Sequence, residues 1–177
     1  MIKEAVWVLT SLLAIVAGWM DLRYRRIPNW LTVSGLVVGV AVNTLASGWQ
    51  GAKASLLGAL LGLALLLPFV ALRSLGAGDS KLVGALGAFL GPGSLVTVLL
   101  AAVFVAGGMA LVLIVYKGRT RQAVRNIGRM LAALVRLRMP GQDLTLDNPE
   151  ALKVPFGVAV ALTVILYEAG QAMRVVS

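Results

Sequence analysis

Five apolar runs follow one another between residues 2 and 116, and a sixth closes the chain from Val154 to Met173. Stretches of this kind belong in hydrocarbon, where every backbone polar group must be satisfied internally, so the chain has little choice but a bundle of helices. Composition agrees. Of 177 residues, 59% are hydrophobic and only 13% charged, whereas a soluble domain is about half apolar and a quarter charged. The net charge of +9 does not point to nucleic acid, because the basic residues lie in the breaks between apolar runs, as membrane topology requires. The expected fold is therefore an all-α integral membrane protein, a single domain over residues 1–177, with about six transmembrane helices.

In order, the spans are expected at Ile2 to Met20, Trp30 to Ser47, Ala54 to Leu72, Ser80 to Leu90, Ser94 to Tyr116 and Val154 to Met173. The first lacks a basic leader and a small-residue cleavage site, and so reads as a retained helix, not a signal peptide. Asp21 to Asn29 is a charged loop in which Pro28 stops any continuous helix. Gly48-Trp49-Gln50-Gly51 makes a short turn with an interfacial tryptophan. The fourth span is short: counted from Asp79 it covers about 18 Å of a core roughly 30 Å thick. Either it is re-entrant or Asp79 lies below the membrane surface, and the second placement puts a carboxylate at depth yet open to one side.

The long polar connection from Lys117 to Lys153 begins with a patterned segment, 117–139. Lys117, Arg121, Arg125, Arg129 and Arg136 fall within an arc of about 120° at 100° per residue, opposite Ala123, Ile127, Met130 and Leu134 and flanked by Val124 and Leu131. That is an interfacial amphipathic helix, its arginines at the headgroups. Pro140 to Pro149 is a turn-rich loop. With Asp21 placed inside, thirteen of the sixteen Lys and Arg residues fall on the inner side, leaving only Lys3, Lys53 and Arg174 outside. The positive-inside rule then puts Asp21 and Asp79 on the cytoplasmic side of the inner membrane. Gly35 and Gly39, Gly58 and Gly62, Gly84 and Gly87, and Gly107 and Gly108 are expected to pack helices closely.

Chemistry is narrowed by what is missing. Without cysteine or histidine there is no disulfide, no thiol catalysis, no Ser-His-Asp triad and no zinc site. What stands out is Gly76-Ala77-Gly78-Asp79-Ser80-Lys81, a glycine-flanked carboxylate between apolar runs, and Asp21 on the same side. Charges at such positions default to a functional role. Two carboxylates held close share a proton, so that one can activate water while the other protonates a carbonyl oxygen and then the leaving amine, with no metal or cofactor. The glycines admit an extended substrate strand. Lys81 and the arginines after Asp21 are suited to an acidic part of a substrate, though they also serve topology. Plainer roles exist: Asp79 as a cap of the following helix, Asp21 as a partner of Arg23 or Arg25, and Glu168, in the last span, as a packing or interfacial residue.

Taken together, Asp21-x-Arg23-x-x-x-Ile27-Pro28-Asn29 after a first span, Gly76-Ala77-Gly78-Asp79-Ser80-Lys81-Leu82 after a third, and Lys153-Val154-Pro155-Phe156-Gly157 before the last resemble the type IV prepilin peptidases, which are GxGD-type membrane aspartyl proteases. The resemblance covers nearly the whole chain in matching order. It implies that Asp21 and Asp79 are the catalytic pair and that Pro155, Phe156 and Gly157 form a substrate-facing element beside them, while Gly76, Gly78, Lys81 and Arg23 are the substrate contacts that the residues themselves suggest. That substrate would be a prepilin or pseudopilin precursor whose short basic leader is cut off after a glycine at the cytoplasmic face, with a glutamate a few residues on. Membrane lipid and the pilus assembly machinery would be its other partners. Larger family members carry an N-terminal cysteine-containing domain and methylate the new terminus. With neither here, the expectation is peptidase activity alone, as in the small enzymes of tight-adherence (Flp-type) pilus systems, or in an archaeal preflagellin-type peptidase. Two other readings stay open: a proton-coupled transporter, against which stands the lack of a visible inverted repeat, and an inactive assembly scaffold, against which stands the presence of both aspartates.

Overall fold

The computed structural model describes residues 2–118, 120, 121, 123, 125, 126, 128 and 154–176. Four helices carry almost all of them: α1 (Ile2–Tyr24), α2 (Asn29–Ala71), α3 (Ala77–Tyr116) and α4 (Phe156–Val176). All four are long and apolar enough to cross a membrane. The amphipathic segment expected over 117–139 lies largely outside the described residues, and the loop from Pro140 to Pro149 wholly so.

Helices α2 and α3 contain 43 and 40 residues. Straight, they would reach about 65 and 60 Å, twice the thickness of a bilayer core. Neither is straight. In α2 the helical backbone fails at Ser47 and Gly48, Gly48 taking φ 56° and ψ −139°. In α3 it fails at Gly91, with φ 71° and ψ 173°. Both glycines sit where a side chain would be strained, and Pro92 then opens the next arm with the fixed φ of a first helical residue. The chain folds back at each break. Residues 43 and 51 would be about 12 Å apart along a straight helix, yet a Cβ on Gly51 would lie 1.8 Å from the Asn43 carbonyl oxygen. The turns expected at Gly48 to Gly51 and Gly91 to Gly93 are thus sharper than a loop, with helix resuming within a residue or two.

Folding back frees carbonyls that the membrane will not hydrate. Pro92 has no N–H for the carbonyl of Ala88, four residues earlier, and the break at Gly91 disturbs the bond that Phe89 would accept. Asn43 and Ser55 supply the missing donors. Asn43 Nδ2 donates to Ala88 O at 2.8 Å and to Phe89 O at 2.9 Å, and Ser55 Oγ donates to Ala88 O at 2.6 Å. One break is therefore satisfied by polar side chains flanking the other.

The arm of α3 from 77 to 90 is the centre of the bundle. Leu82, Val83, Ala85, Leu86 and Ala88 are fully buried, as a helix that is apolar all round should be. It packs on α2 through glycine. A Cβ on Gly58 would stand 2.1 Å from Gly87 O, and one on Gly87 would stand 2.3 Å from Gly58 O, so these backbones touch as small-xxx-small contacts require. Gly62 meets Val83 and Gly84 meets Leu63 in the same seam. Gly107 and Gly108, also expected to pack a helix, face open space: a Cβ on either would have none of the described residues within 4 Å. Around the centre, Leu13, Ala14 and Ala17 of α1 and Val160, Ala161 and Val164 of α4 complete the core. Outside it, Leu100, Val103, Phe104, Leu111 and Val112 are exposed, a surface suited to acyl chains and not to water.

One boundary differs from expectation. Asp21 was expected to begin a loop, but α1 continues through it to Tyr24. No residue between Met20 and Tyr24 breaks a helix. The stop comes at Arg25, which takes φ 53°, followed by the extended Pro28 before α2.

Candidate active site

Asp21 sits in the last turn of α1, where the helix dipole is unfavourable to an anion. The same carboxylate meets the opposite pole of another helix. Gly157 is the second residue of α4, so its N–H has no acceptor within the helix. It donates instead to Asp21 Oδ2 at 2.8 Å. A Cβ on Gly157 would lie 2.9 Å from Asp21 Cβ and 3.0 Å from Oδ2, so a residue without a side chain is what lets the amide approach. Pro155 and Gly157 are buried here and Phe156 is partly so. The segment from 155 to 157 is thus the seat of one carboxylate.

Asp79 is placed differently. It is the third residue of α3, after Gly76 at the N-cap. Its Oδ2 accepts the Gly76 N–H at 3.3 Å, half of a capping box made from the helix side. A capping role and a chemical role are therefore compatible in this residue: the bond orients the carboxyl and leaves its other oxygen free of that duty. Each aspartate is thus held by backbone N–H groups at the start of a helix, Asp21 by Gly157 with Val158 beside it and Asp79 by Gly76.

The two carboxylates face one cavity of about 290 Å³, lined by Asp21, Arg25, Arg26, Ile27, Gly76, Ala77, Gly78 and Asp79. They are near enough for Asp21 to act electrostatically on Asp79. Gly78 closes the wall between them. A Cβ there would come within 3.3 Å of Ile27 Cβ and 3.4 Å of Ile27 O, so the glycine lets α3 start against the Ile27-Pro28 turn. Arg25, four residues beyond Asp21 and hence on the same helix face, acts electrostatically on that carboxylate. No group of His, Cys, Asp and Glu side chains able to hold a metal ion occurs among the described residues.

Of the residues singled out in the sequence, Asp21, Asp79, Gly76 and Gly78 come together in the cavity wall, with Gly157 touching Asp21 from behind. Arg23 is exposed and outside the lining, being two residues and thus about 200° from Asp21 on the helix. Lys81 is also exposed and outside it, and its Nζ donates to Asn29 Oδ1 at 2.9 Å. That bond ties the first turn of α3 to the first residue of α2. Of the two partners the sequence offers Asp21, the structure favours Arg25 over Arg23, and Arg26 joins the cavity wall without having been singled out. The i, i+4 spacing from Asp21 would have picked out Arg25.

A sequence profile of the type IV leader peptidase family matches residues 7–111, more than half of the chain, including both aspartates and stopping before α4. No curated protein and no solved structure matches the chain.

Proposed function

The chain belongs to the type IV leader peptidase family, and on that footing we propose that it is an aspartyl endopeptidase that removes the leader from prepilin-like precursors. The observation that carries this reading is that Asp21 and Asp79, on separate helices, line the same cavity and are each oriented by a backbone amide. A cavity of about 290 Å³ exceeds by far the roughly 30 Å³ share of one liquid water, leaving room for a water together with a stretch of extended peptide.

In the proposed reaction the two carboxyls share one proton. The ionised one removes a proton from the bound water, and the water oxygen attacks the scissile carbonyl carbon. The protonated one donates to the carbonyl oxygen, giving a neutral tetrahedral diol. When the C–N bond breaks, the proton taken from water passes to the departing amine, and a diol hydroxyl gives its proton to the other carboxylate, which restores the shared proton. Gly76, Gly78 and the Pro155-Phe156-Gly157 segment border the path of the substrate backbone. Arg25 and Arg26, which line the cavity, supply positive charge for an acidic part of the precursor.

The breaks at Ser47-Gly48 and Gly91 divide α2 and α3 into paired arms, so we read six passages of the membrane in four helices. The excess of Lys and Arg near Asp21 and Asp79 argues for an inner-membrane protein whose cavity opens to the cytoplasm. Purified protein in lipid, incubated with a prepilin and followed by mass spectrometry, should release the leader at a single bond. Intact precursor after prolonged incubation with folded protein would contradict the proposal.

A further inference from the structure

The chemistry above makes no use of Glu168. Its side chain lies in the half of α4 remote from Gly157 and is only 6% exposed. The Ser11 hydroxyl of α1 donates to its Oε2, and Thr10, itself fully buried, lies beside it. Its other oxygen, Oε1, is buried without a hydrogen-bond partner among the described residues. A carboxyl in an apolar bundle is costly, and a leucine would fill the space without that cost. The pair therefore calls for a use.

The rest of the α1–α4 contact has little to fix one helix on the other. Ala14, Ala17, Ala161 and Val164 are small and apolar, and a Cβ on Gly18 would come within 2.9 Å of Ala161 Cβ. Such a seam allows close approach but does not discriminate between neighbouring registers, and in lipid no hydrophobic force chooses one. Among the described residues the directional bonds lie at its two ends: Gly157 to Asp21, with Val158 beside it, and Ser11 to Glu168, with Thr10 beside it. Ten residues separate Ser11 from Asp21 and eleven separate Gly157 from Glu168, about 15 and 16.5 Å of helix. In antiparallel helices the two bonds thus mark the ends of one register. A slip of one residue, about 1.5 Å and 100°, breaks both. Tyr167, whose hydroxyl donates to Ser94 Oγ at 2.9 Å, pins α4 to α3 and leaves its register on α1 to Glu168.

We propose that Glu168 and Ser11 are positioning residues which set the register of α4 on α1 and so hold the Gly157 amide on Asp21. The kinetic part of this inference rests on the proposed role of Asp21. The structural part does not.

The Gly157 amide reports directly, because the hydrogen bond that protects it from exchange is the one to Asp21. Protein labelled with ¹⁵N-glycine in lipid nanodiscs would be compared as wild type, Glu168→Gln, Glu168→Ala and Ser11→Ala, with the Gly84 amide as internal reference. Exchange at Gly157 relative to Gly84 should rise about tenfold in both alanine variants. Leader cleavage should show kcat lowered about tenfold with KM within about twofold. Glu168→Gln, which keeps an oxygen to accept from Ser11, should match wild type in both. Should Glu168→Ala not fold, Ser11→Ala, which leaves the carboxyl in place, decides. Equal change at Gly157 and Gly84, or no change at Gly157, would overturn the inference, as would a Glu168→Gln variant that behaves like alanine. A wild type that cleaves no prepilin speaks against the proposed function, and amide exchange then decides the register claim by itself.

Discussion

The Gly157 amide reaches the Asp21 carboxylate at 2.8 Å across 136 residues of chain. The contact joins the start of the last helix to the end of the first. An anion at a helix C-terminus is thereby moved into the field of a helix N-terminus. It also makes Gly157, a residue with no side-chain chemistry, part of the geometry of the site. In Gly157→Ala the added Cβ meets Asp21 Cβ at 2.9 Å, so either the carboxylate or the helix start must shift. The expected result is a fall in kcat for leader cleavage of about a hundredfold with a small change in unfolding temperature. A variant as active as wild type would show that Asp21 needs no such seat.

Lys81 is argued to position the site through Asn29, not through the substrate. Lys81→Met should lower kcat by about two- to fivefold, in keeping with the modest worth of an exposed polar tie, and leave KM nearly unchanged. Asn29→Asp, which offers the ammonium a carboxylate in the same place, should retain activity. Steady-state kinetics on one prepilin separates the two roles, since a lysine that meets an acidic part of the substrate would raise KM when removed.

Asn43 carries a different kind of weight. Asn43→Ala leaves the Phe89 carbonyl without the donor it now has at 2.9 Å, away from the cavity. Stability should fall by about 1–2 kcal/mol, read as a lower unfolding midpoint in mixed detergent, while the kcat of the folded fraction stays as it was. An unchanged midpoint would mean that the freed carbonyl finds another partner.

Two glycines that look alike in the sequence should respond in opposite ways. Gly58→Ala drives a methyl to 2.1 Å from the Gly87 carbonyl oxygen, where the neighbour is backbone and has nowhere to go. It should cost about 2–3 kcal/mol. Gly107→Ala, with none of the described residues within 4 Å of the added methyl, should be neutral or stabilise by about 0.5 kcal/mol through helix propensity. Unfolding midpoints of the two variants side by side make the test, and equal losses would contradict the packing described.

How much of this was legible in the residues follows from what each signal depends on. Asp21 and Asp79 stand out because a charge beside an apolar span is expensive wherever the chain goes, and that cost is written locally. The helix breaks at Gly48 and Gly91 were legible for the same reason, since glycine and proline act on their own backbone. That the breaks carry almost no loop was not, because Asn43 and Ser55 stabilise the α3 break from another helix. The end of α1 was misplaced by four residues: a charged stretch reads as a loop, but Arg23 and Arg25 have fair helix propensity and only the backbone at Arg25 ends the turn. Lys81 with Asn29, and Glu168 with Ser11, pair across 52 and 157 positions, and no spacing rule reaches that far.

The claim at the centre of the account is that Asp21 and Asp79 work as a pair, and replacing each by asparagine tests it most directly. Asparagine keeps the size and the acceptor oxygen for Gly157 or Gly76 but cannot exchange a proton. With purified prepilin in lipid, Asp21→Asn and Asp79→Asn should each lose about 10²- to 10⁴-fold in kcat, the double variant should be little worse than either, and all three should remain folded. Wild-type cleavage by either folded single variant would contradict the paired-aspartate mechanism.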